Sequence, residues 1–161
     1  MNNYIPNKKN LYFLNSKERR EIIRFLESQF NYKGRIDEGM LMNWLDDVFI
    51  VSTGIKGIDL EKLRIKKIGI QLGRVAKEEL ILTIEGAQLV GNDCAKNIID
   101  ISDVQAKLWF EGRDIGMNLE DKKMDASIYL IRNNGDFIGC AKFRQEKLIN
   151  NVLRDRRQEI H

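Results

Sequence analysis

The strongest local constraint in this chain is a dipeptide, Asn134-Gly135, set between two apolar runs. One run is Ser127-Ile128-Tyr129-Leu130-Ile131-Arg132, and the other is Phe137-Ile138-Gly139-Cys140-Ala141-Lys142-Phe143. Both are rich in β-branched, aromatic and small apolar residues. Asn and Gly tolerate the positive φ angles of a tight hairpin turn, so residues 127–143 are expected to form an antiparallel β-hairpin. The rest of the chain has to cover that hairpin.

Other elements follow from caps and periodicity. Asn15 precedes a polar start with Glu18 three residues on, the pattern of a capping box. Ile22, Ile23, Leu26 and Phe30 then recur at helical spacing, and the helix is expected to stop before Gly34. Met40 to Trp44 reads as a short apolar element. Residues 47–53 read as a strand ending at Gly54, with Gly54 and Gly57 in a turn. Lys66–Leu72 is a weaker strand candidate containing Gly69, and Leu80–Thr83 is a short buried one. The chain changes character after about residue 79. Glu85–Gly91 reads as a short helix or turn closed by glycine. Ser102 opens a further helix with Val104, Leu108 and Trp109 at core spacing, stopped by Gly112.

Composition narrows the function classes. Of the 161 residues 43% are hydrophobic and 32% charged, which fits a packed interior with a solvated surface. No apolar run approaches the roughly 20 residues of a bilayer span. Met1–Asn10 has no apolar signal segment, so a cytoplasmic protein without a membrane role is expected. Cys94 and Cys140 have no Cys or His at ligand spacing, so neither a metal nor a disulfide is expected. No nucleotide-binding glycine motif occurs, and no cofactor is expected. The single histidine is His161 at the C-terminus, a poor place to hold a general base. The adjacent carboxylates Asp46 and Asp47 diverge on either a strand or a helix. A non-catalytic chain is expected.

Net charge is only +3, but its distribution is uneven. Lys62, Arg64, Lys66, Lys67, Arg74 and Lys77 crowd one stretch. Lys142, Arg144, Lys147, Arg154, Arg156 and Arg157 crowd another. Clustered cations raise the potential over a patch and attract phosphate.

Four segments of the C-terminal half share an order with a known family. They are Leu82-Thr83-Ile84-Glu85-Gly86-Ala87-Gln88-Leu89-Val90-Gly91, the helical region Ile101–Asp114, the strand Phe137-Ile138-Gly139-Cys140-Ala141-Lys142, and the tail Asn150-Asn151-Val152-Leu153-Arg154-Asp155-Arg156-Arg157. This order resembles the PUA-like tail of Sun-family RNA methyltransferases, which make 5-methylcytosine. That tail ends in Asn-x-x-Pro-Lys-x-Arg-Arg after a Gly-Cys-Gly-Lys-like strand. Here Leu153, Arg154 and Ala141 replace the proline, the lysine and the second glycine. The Arg-Arg pair and the Gly-Cys-x-Lys frame remain. The N-terminal half resembles, in layout, the small α/β domain that precedes PUA domains.

The resemblance implies an α+β chain: a small N-terminal α/β domain over 1–79, then a PUA-like β pseudo-barrel with short helices over 80–161. It implies binding of tRNA or rRNA, in RNA modification or ribosome assembly, beside a separate RNA-modifying enzyme. Neither cysteine sits in the Pro-Cys context of the methyltransferase site. Carried over, Gly86 and Gly91 bracket a loop that admits RNA to the backbone. Gln88 meets a base edge or ribose hydroxyl. Lys142, Arg154, Arg156 and Arg157 meet phosphates or stack on bases. Tyr12, Tyr32 and Trp109 are candidate stacking platforms. The competing reading is a protein-interaction adaptor that presents the N-terminal helix with Met40, Leu41, Met42 and Trp44.

Overall fold

A computed structural model describes residues 11–60, 62–63, 65, 67–117 and 124–158. Met1–Asn10, Arg64, Lys66 and His161, each the subject of a sequence-based expectation, lie outside the described residues. The first helix, α1 (Ser16–Phe30), begins as its residues dictate. The Asn15 side chain accepts from the backbone N–H groups of Lys17 and Glu18, and Glu18 reaches back to the Asn15 N–H at 2.8 Å. It buries Ile22, Leu26 and Phe30 and ends at Asn31 in the left-handed region.

Around α1 the first half builds an antiparallel meander of β1 (Tyr12–Phe13), β2 (Gly39–Met42), β3 (Asp47–Val51), β4 (Ile70–Ala76) and β5 (Glu79–Leu82), in that spatial order. Met40–Trp44 thus supplies a strand and then a turn. Gly69 lies just before β4 rather than inside a strand. Its φ of 67° and a would-be Cβ overlapping the Ile50 carbonyl leave room only for glycine.

The second half holds α2 (Ile84–Val90), β6 (Ile98–Asp100), α3 (Asp103–Phe110), β7 (Ile115–Gly116), β8 (Ile128–Asn133), β9 (Asp136–Arg144) and β10 (Lys147–Ile149). The sheet order is β6-β8-β9-β10-β7, with only β6–β8 parallel. The hairpin forms as expected: Asn133 pairs with Asp136, and Asn134 and Gly135 sit at φ 49° and 89°. A bulge at Ile138 leaves Gly139 at φ 129° against the Trp109 indole. Two five-stranded sheets with few helices make the α+β class expected.

Three apolar layers alternate with the two sheets. Met40, Val48, Ile50, Leu72 and Leu82 on one sheet meet Ile128, Leu130 and Cys140 on the other, with Leu26 and Phe30 of α1 in the same cluster. Tyr129, Ile131, Ile138 and Ala141 face a second cluster centred on Trp109. Leu41, Phe49 and Val51 face a third, under Leu60. The central layer therefore belongs to both halves of the chain.

Several expectations need correction. Val104 is 74% exposed, and Ala106 with Trp109 makes the buried stripe of α3 instead. The capping box at Ser102 and Gln105 starts the helix at Asp103, which turns Val104 outward. Met40 and Leu41 are buried on opposite faces of β2, so they present no partner surface. Asp46 has a left-handed φ in the turn, and Asp47 is buried against Asn43 and Arg74.

The edge of β5 is closed by side chains. Gln29 of α1 donates to the Leu80 carbonyl at 2.9 Å and accepts from its N–H at 2.7 Å. The Leu82 N–H donates to the Cys140 Sγ at 2.9 Å. Replacing Gln29 by Leu leaves a donor and an acceptor on β5 without partners. We expect a stability loss of about 2 kcal/mol, read as a lower urea midpoint at unchanged m-value.

Candidate nucleic-acid interface

The C-terminal tail is pinned from Asn150 onward. The Asn150 side chain donates to the carbonyls of Trp109 at 2.7 Å and Arg113 at 3.1 Å, and accepts from the Val152 N–H at 2.9 Å. Val152 is buried, and the Gln158 N–H donates to the Phe110 carbonyl at 2.8 Å. Between these anchors Arg154–Arg156 forms a 3₁₀ turn whose side chains are exposed. Arg157 donates from Nε to the Val152 carbonyl at 3.0 Å. Its stem crosses Gly112, where a Cβ would lie 2.6 Å from Arg157 Cδ. Gly112 at φ 82° both ends α3 and clears a path for this arginine.

This turn meets both basic stretches of the chain. Arg156 Nη2 lies 2.6 Å from Glu85 Oε1 in the first turn of α2. Lys67 Nζ lies 3.8 Å from Asp155 Oδ2. Leu153 and Asn151 share a cleft of about 140 Å³ with Gln71, Arg74 and Thr83. Arg74 is half exposed and pairs with Asp47 at 2.6 Å. Gln88 is exposed one helical turn beyond Glu85, on the same side of α2. The structure thus places Arg154, Arg156 and Arg157 in and next to one exposed turn that touches α2 at Glu85, with Gln88 exposed on the next turn of that helix.

Other expected site residues lie elsewhere or face inward. Lys142 pairs with Glu79 at 2.9 Å, its side chain only 18% exposed. Residues 84–90 form a helix, not a loop, and Gly86 within it and Gly91 at its end are both buried. A Cβ on Gly86 would overlap the Leu72 carbonyl oxygen, and one on Gly91 would overlap the Phe137 ring. These glycines let α2 lie against β4 and β9, so their backbone is covered by the chain itself. Tyr32 and Trp109 are buried and offer no stacking face, and Tyr12 is half-buried. Trp109 donates from Nε1 to the Ile138 carbonyl at 2.8 Å. Cys140 is sealed between the sheets, and burial pushes its thiol up to about 12. Burial likewise raises Cys94 to about 11, with Asp93 adding to the shift. Neither thiol is poised as a nucleophile.

Residues 96–158 match the family model described as the methyltransferase RsmF PUA domain. The likeness to a Sun-family PUA-like tail is shown over this segment. Several relatives are ribosomal RNA small subunit methyltransferases F. The chain is 36% identical over 100 residues to the ribosomal RNA small subunit methyltransferase F of Shewanella baltica (strain OS223), covering 58% of this chain and 20% of that protein. The enzyme of the same name from Shewanella sp. (strain MR-4) is 31% identical with the same coverage. That from Aeromonas salmonicida (strain A449) is 24% identical over 142 residues, 88% of this chain and 28% of the relative. The chain therefore spans between a fifth and a third of the length of these relatives. Among the described residues no helix is long and apolar enough to cross a membrane. The RsmF-PUA-like segment carries α3, the hairpin and the whole arginine turn.

The Glu79–Lys142 pair ties β5 to β9. Burial raises the Glu79 carboxyl, but hydrogen bonds from Ser127 and Lys142 outweigh it and leave the group below its ordinary 4.5. A depressed carboxylate stabilises the fold above its unfolded value and loses that contribution as pH falls through the folded one. Glu79→Gln should therefore unfold earlier than wild type at neutral pH. The gap should close below pH 4.5 in denaturation midpoints measured across pH.

Proposed function

We propose that this chain binds ribosomal RNA through the exposed arginine turn of its PUA-like half. It acts as a non-catalytic holding module in RNA modification or small-subunit assembly, beside a separate methyltransferase unit. The RNA-binding unit is the part from α2 onward, and the first sheet, whose β5 crosses the 79/80 boundary expected from the sequence, is its companion. The observation that carries the reading is the anchoring of Arg154, Arg156 and Arg157. Asn150 and Val152 fix the turn from below, so the three arginines lie at the surface, Arg156 paired with Glu85 and Arg157 held by the Val152 carbonyl, at little further ordering cost. Guanidinium forks match phosphate oxygens in geometry as well as charge. Gln88 offers a neutral donor and acceptor beside them, suited to a ribose hydroxyl or a base edge.

The relatives act as ribosomal RNA small subunit methyltransferases by name, and this favours small-subunit ribosomal RNA as the RNA bound here. Gly86 and Gly91 serve this surface indirectly, by seating α2 so that Glu85 meets Arg156. Lys142 contributes by holding β9 in place. It reaches phosphate only after leaving Glu79.

Anisotropy titrations of labelled small-subunit rRNA hairpins between 50 and 200 mM salt test this reading. Each neutralised phosphate adds about 0.7–0.9 to the slope of log affinity against log salt, so alanine at all three arginines should flatten it by about 2–3. Stability should fall only modestly, about 1 kcal/mol, because Arg154 and Arg156 are exposed while Arg157 also gives up its hydrogen bond to the Val152 carbonyl. Equal slopes for wild type and variant would sink the assignment. Glu85 competes with phosphate for Arg156. Glu85→Gln should therefore tighten binding roughly 2- to 5-fold at low salt in the same titration, the scale of one exposed ion pair.

A further inference from the structure

The aromatic platforms expected from the sequence are buried or half-buried, yet one aromatic stands in solvent. Among the described residues Trp44 alone of the Phe, Tyr and Trp side chains is exposed, at 56%, and Leu45 beside it is 43% exposed. Both lie on the turn between β2 and β3, and that turn is rigid. The Asn43 side chain is buried and accepts from the N–H groups of Leu45 at 2.9 Å and Asp47 at 3.0 Å. Its amide donates to Asp47 Oδ2 at 3.1 Å. Asp46 donates to the Asn43 carbonyl at 3.1 Å, and the Asp46 carbonyl accepts from the Val75 N–H at 3.0 Å. Every neighbour of the tryptophan is bound, and its own ring is left in water.

An exposed indole has a hydrophobic cost, so its position matters. The turn abuts β4 at Arg74 and Val75. Arg74 pairs with Asp47 directly under the turn and lines the cleft shared with Asn151 and Leu153. Leu153 leads straight into the Arg154–Arg156 turn. The turn that carries Trp44 is thus bonded to β4 at Arg74 and Val75, Arg74 shares a cleft with Leu153, and Leu153 opens the arginine turn. The nearby anions are Asp46, in the same turn, and Asp47, already buried against Arg74.

We propose that Trp44 is a stacking platform for an unpaired RNA base whose backbone runs along Arg74 toward the C-terminal arginines. The inference rests on the RNA-binding reading above and extends that surface onto the first half of the chain. Bases of single-stranded RNA stack on aromatic faces with little sequence preference, while adjacent cations track the phosphates. A base on Trp44 shields the indole, and the rigid turn makes this cheap in entropy. An apolar protein partner would need a broad continuous patch. Here the apolar residues Trp44 and Leu45 sit beside polar Asn43 and Asp46 and cationic Arg74.

The two tryptophans make the test direct. Trp109 is fully buried, so quenching of the solvent-exposed emission reports Trp44 alone. Single-stranded oligoadenylate and oligouridylate 12-mers, labelled at one end, are titrated into the full chain at low salt. Anisotropy and tryptophan emission are recorded together, and acrylamide quenching checks accessibility. The proposal expects quenched, acrylamide-protected emission on binding. It also expects about 5- to 100-fold weaker binding for Trp44→Leu, with most affinity kept by Trp44→Phe. Saturable binding that leaves Trp44 emission and the Trp44→Leu affinity unchanged overturns the platform while sparing the arginine turn. Emission that shifts with protein concentration in the absence of RNA assigns the tip to a second copy and overturns it too. No saturable binding of the oligonucleotides or of rRNA hairpins removes both readings. Near-ultraviolet circular dichroism from Trp109 confirms that each variant is folded.

Discussion

The two sheets of this protein are joined at β5, and the join is made by side chains. A strand at a sheet edge leaves backbone donors and acceptors that must find partners, and an open edge invites pairing with another chain. Here Gln29 presents its carboxamide to Leu80 as a further strand would, with both a donor and an acceptor. Two residues on, the Cys140 thiol does the same for Leu82, accepting from its N–H and donating to its carbonyl. The edge is thereby closed by one residue of α1 and one of β9. Neither sheet continues into the other, yet the apolar layer between them is shared.

The same helix closes its own end against the second half. The carbonyls of Gln29 and Phe30, left open where α1 stops, accept from Asn97, Ala95 and Lys96. The strand β6 follows at once and pairs in parallel with β8. The position of the hairpin thus depends on where α1 ends. On the hairpin's far side, Trp109 fills the space beside Gly139, and Asn150 then ties the tail to α3. The arginine turn is the last link in this chain of contacts. Its exposure to solvent and its fixed place have one cause, because buried Val152 before it and the Gln158 N–H bound to Phe110 after it hold the backbone and leave the intervening arginines at the surface.

Much of the local structure was legible from residue chemistry. Asn15 with Glu18, and Asn134 with Gly135, act within a few residues, and the structure realises both as read. The order of the C-terminal segments was legible too. Positions that depend on distant partners were not. Val104 fits an apolar stripe by spacing, but the start of α3 at Asp103 turns it outward. Gly86 and Gly91 look like loop glycines beside a basic tail. They are close-packing glycines, because Leu72 and Phe137 arrive from far away in the chain. Trp44 had one available signal. It stands in Asn43-Trp44-Leu45-Asp46 between two strand candidates, and the tip of a tight turn is where a side chain escapes burial.

The amino-acid order alone determined the elements whose energetics are local: the capped helix, the Asn-Gly hairpin, and the presence of two cationic stretches. Short-range hydrogen bonds and backbone φ preferences act before any distant contact forms. Tertiary structure alone decided which cations remain free and which aromatic faces water. Lys142 and Arg156 look equivalent in sequence, but Lys142 is half-buried on Glu79, whereas Arg156 stands largely exposed with Glu85 as a surface partner. That difference comes from the placement of β5 and α2 against β9 and the tail. No pattern within one segment encodes it, since it needs both halves packed on a common apolar layer.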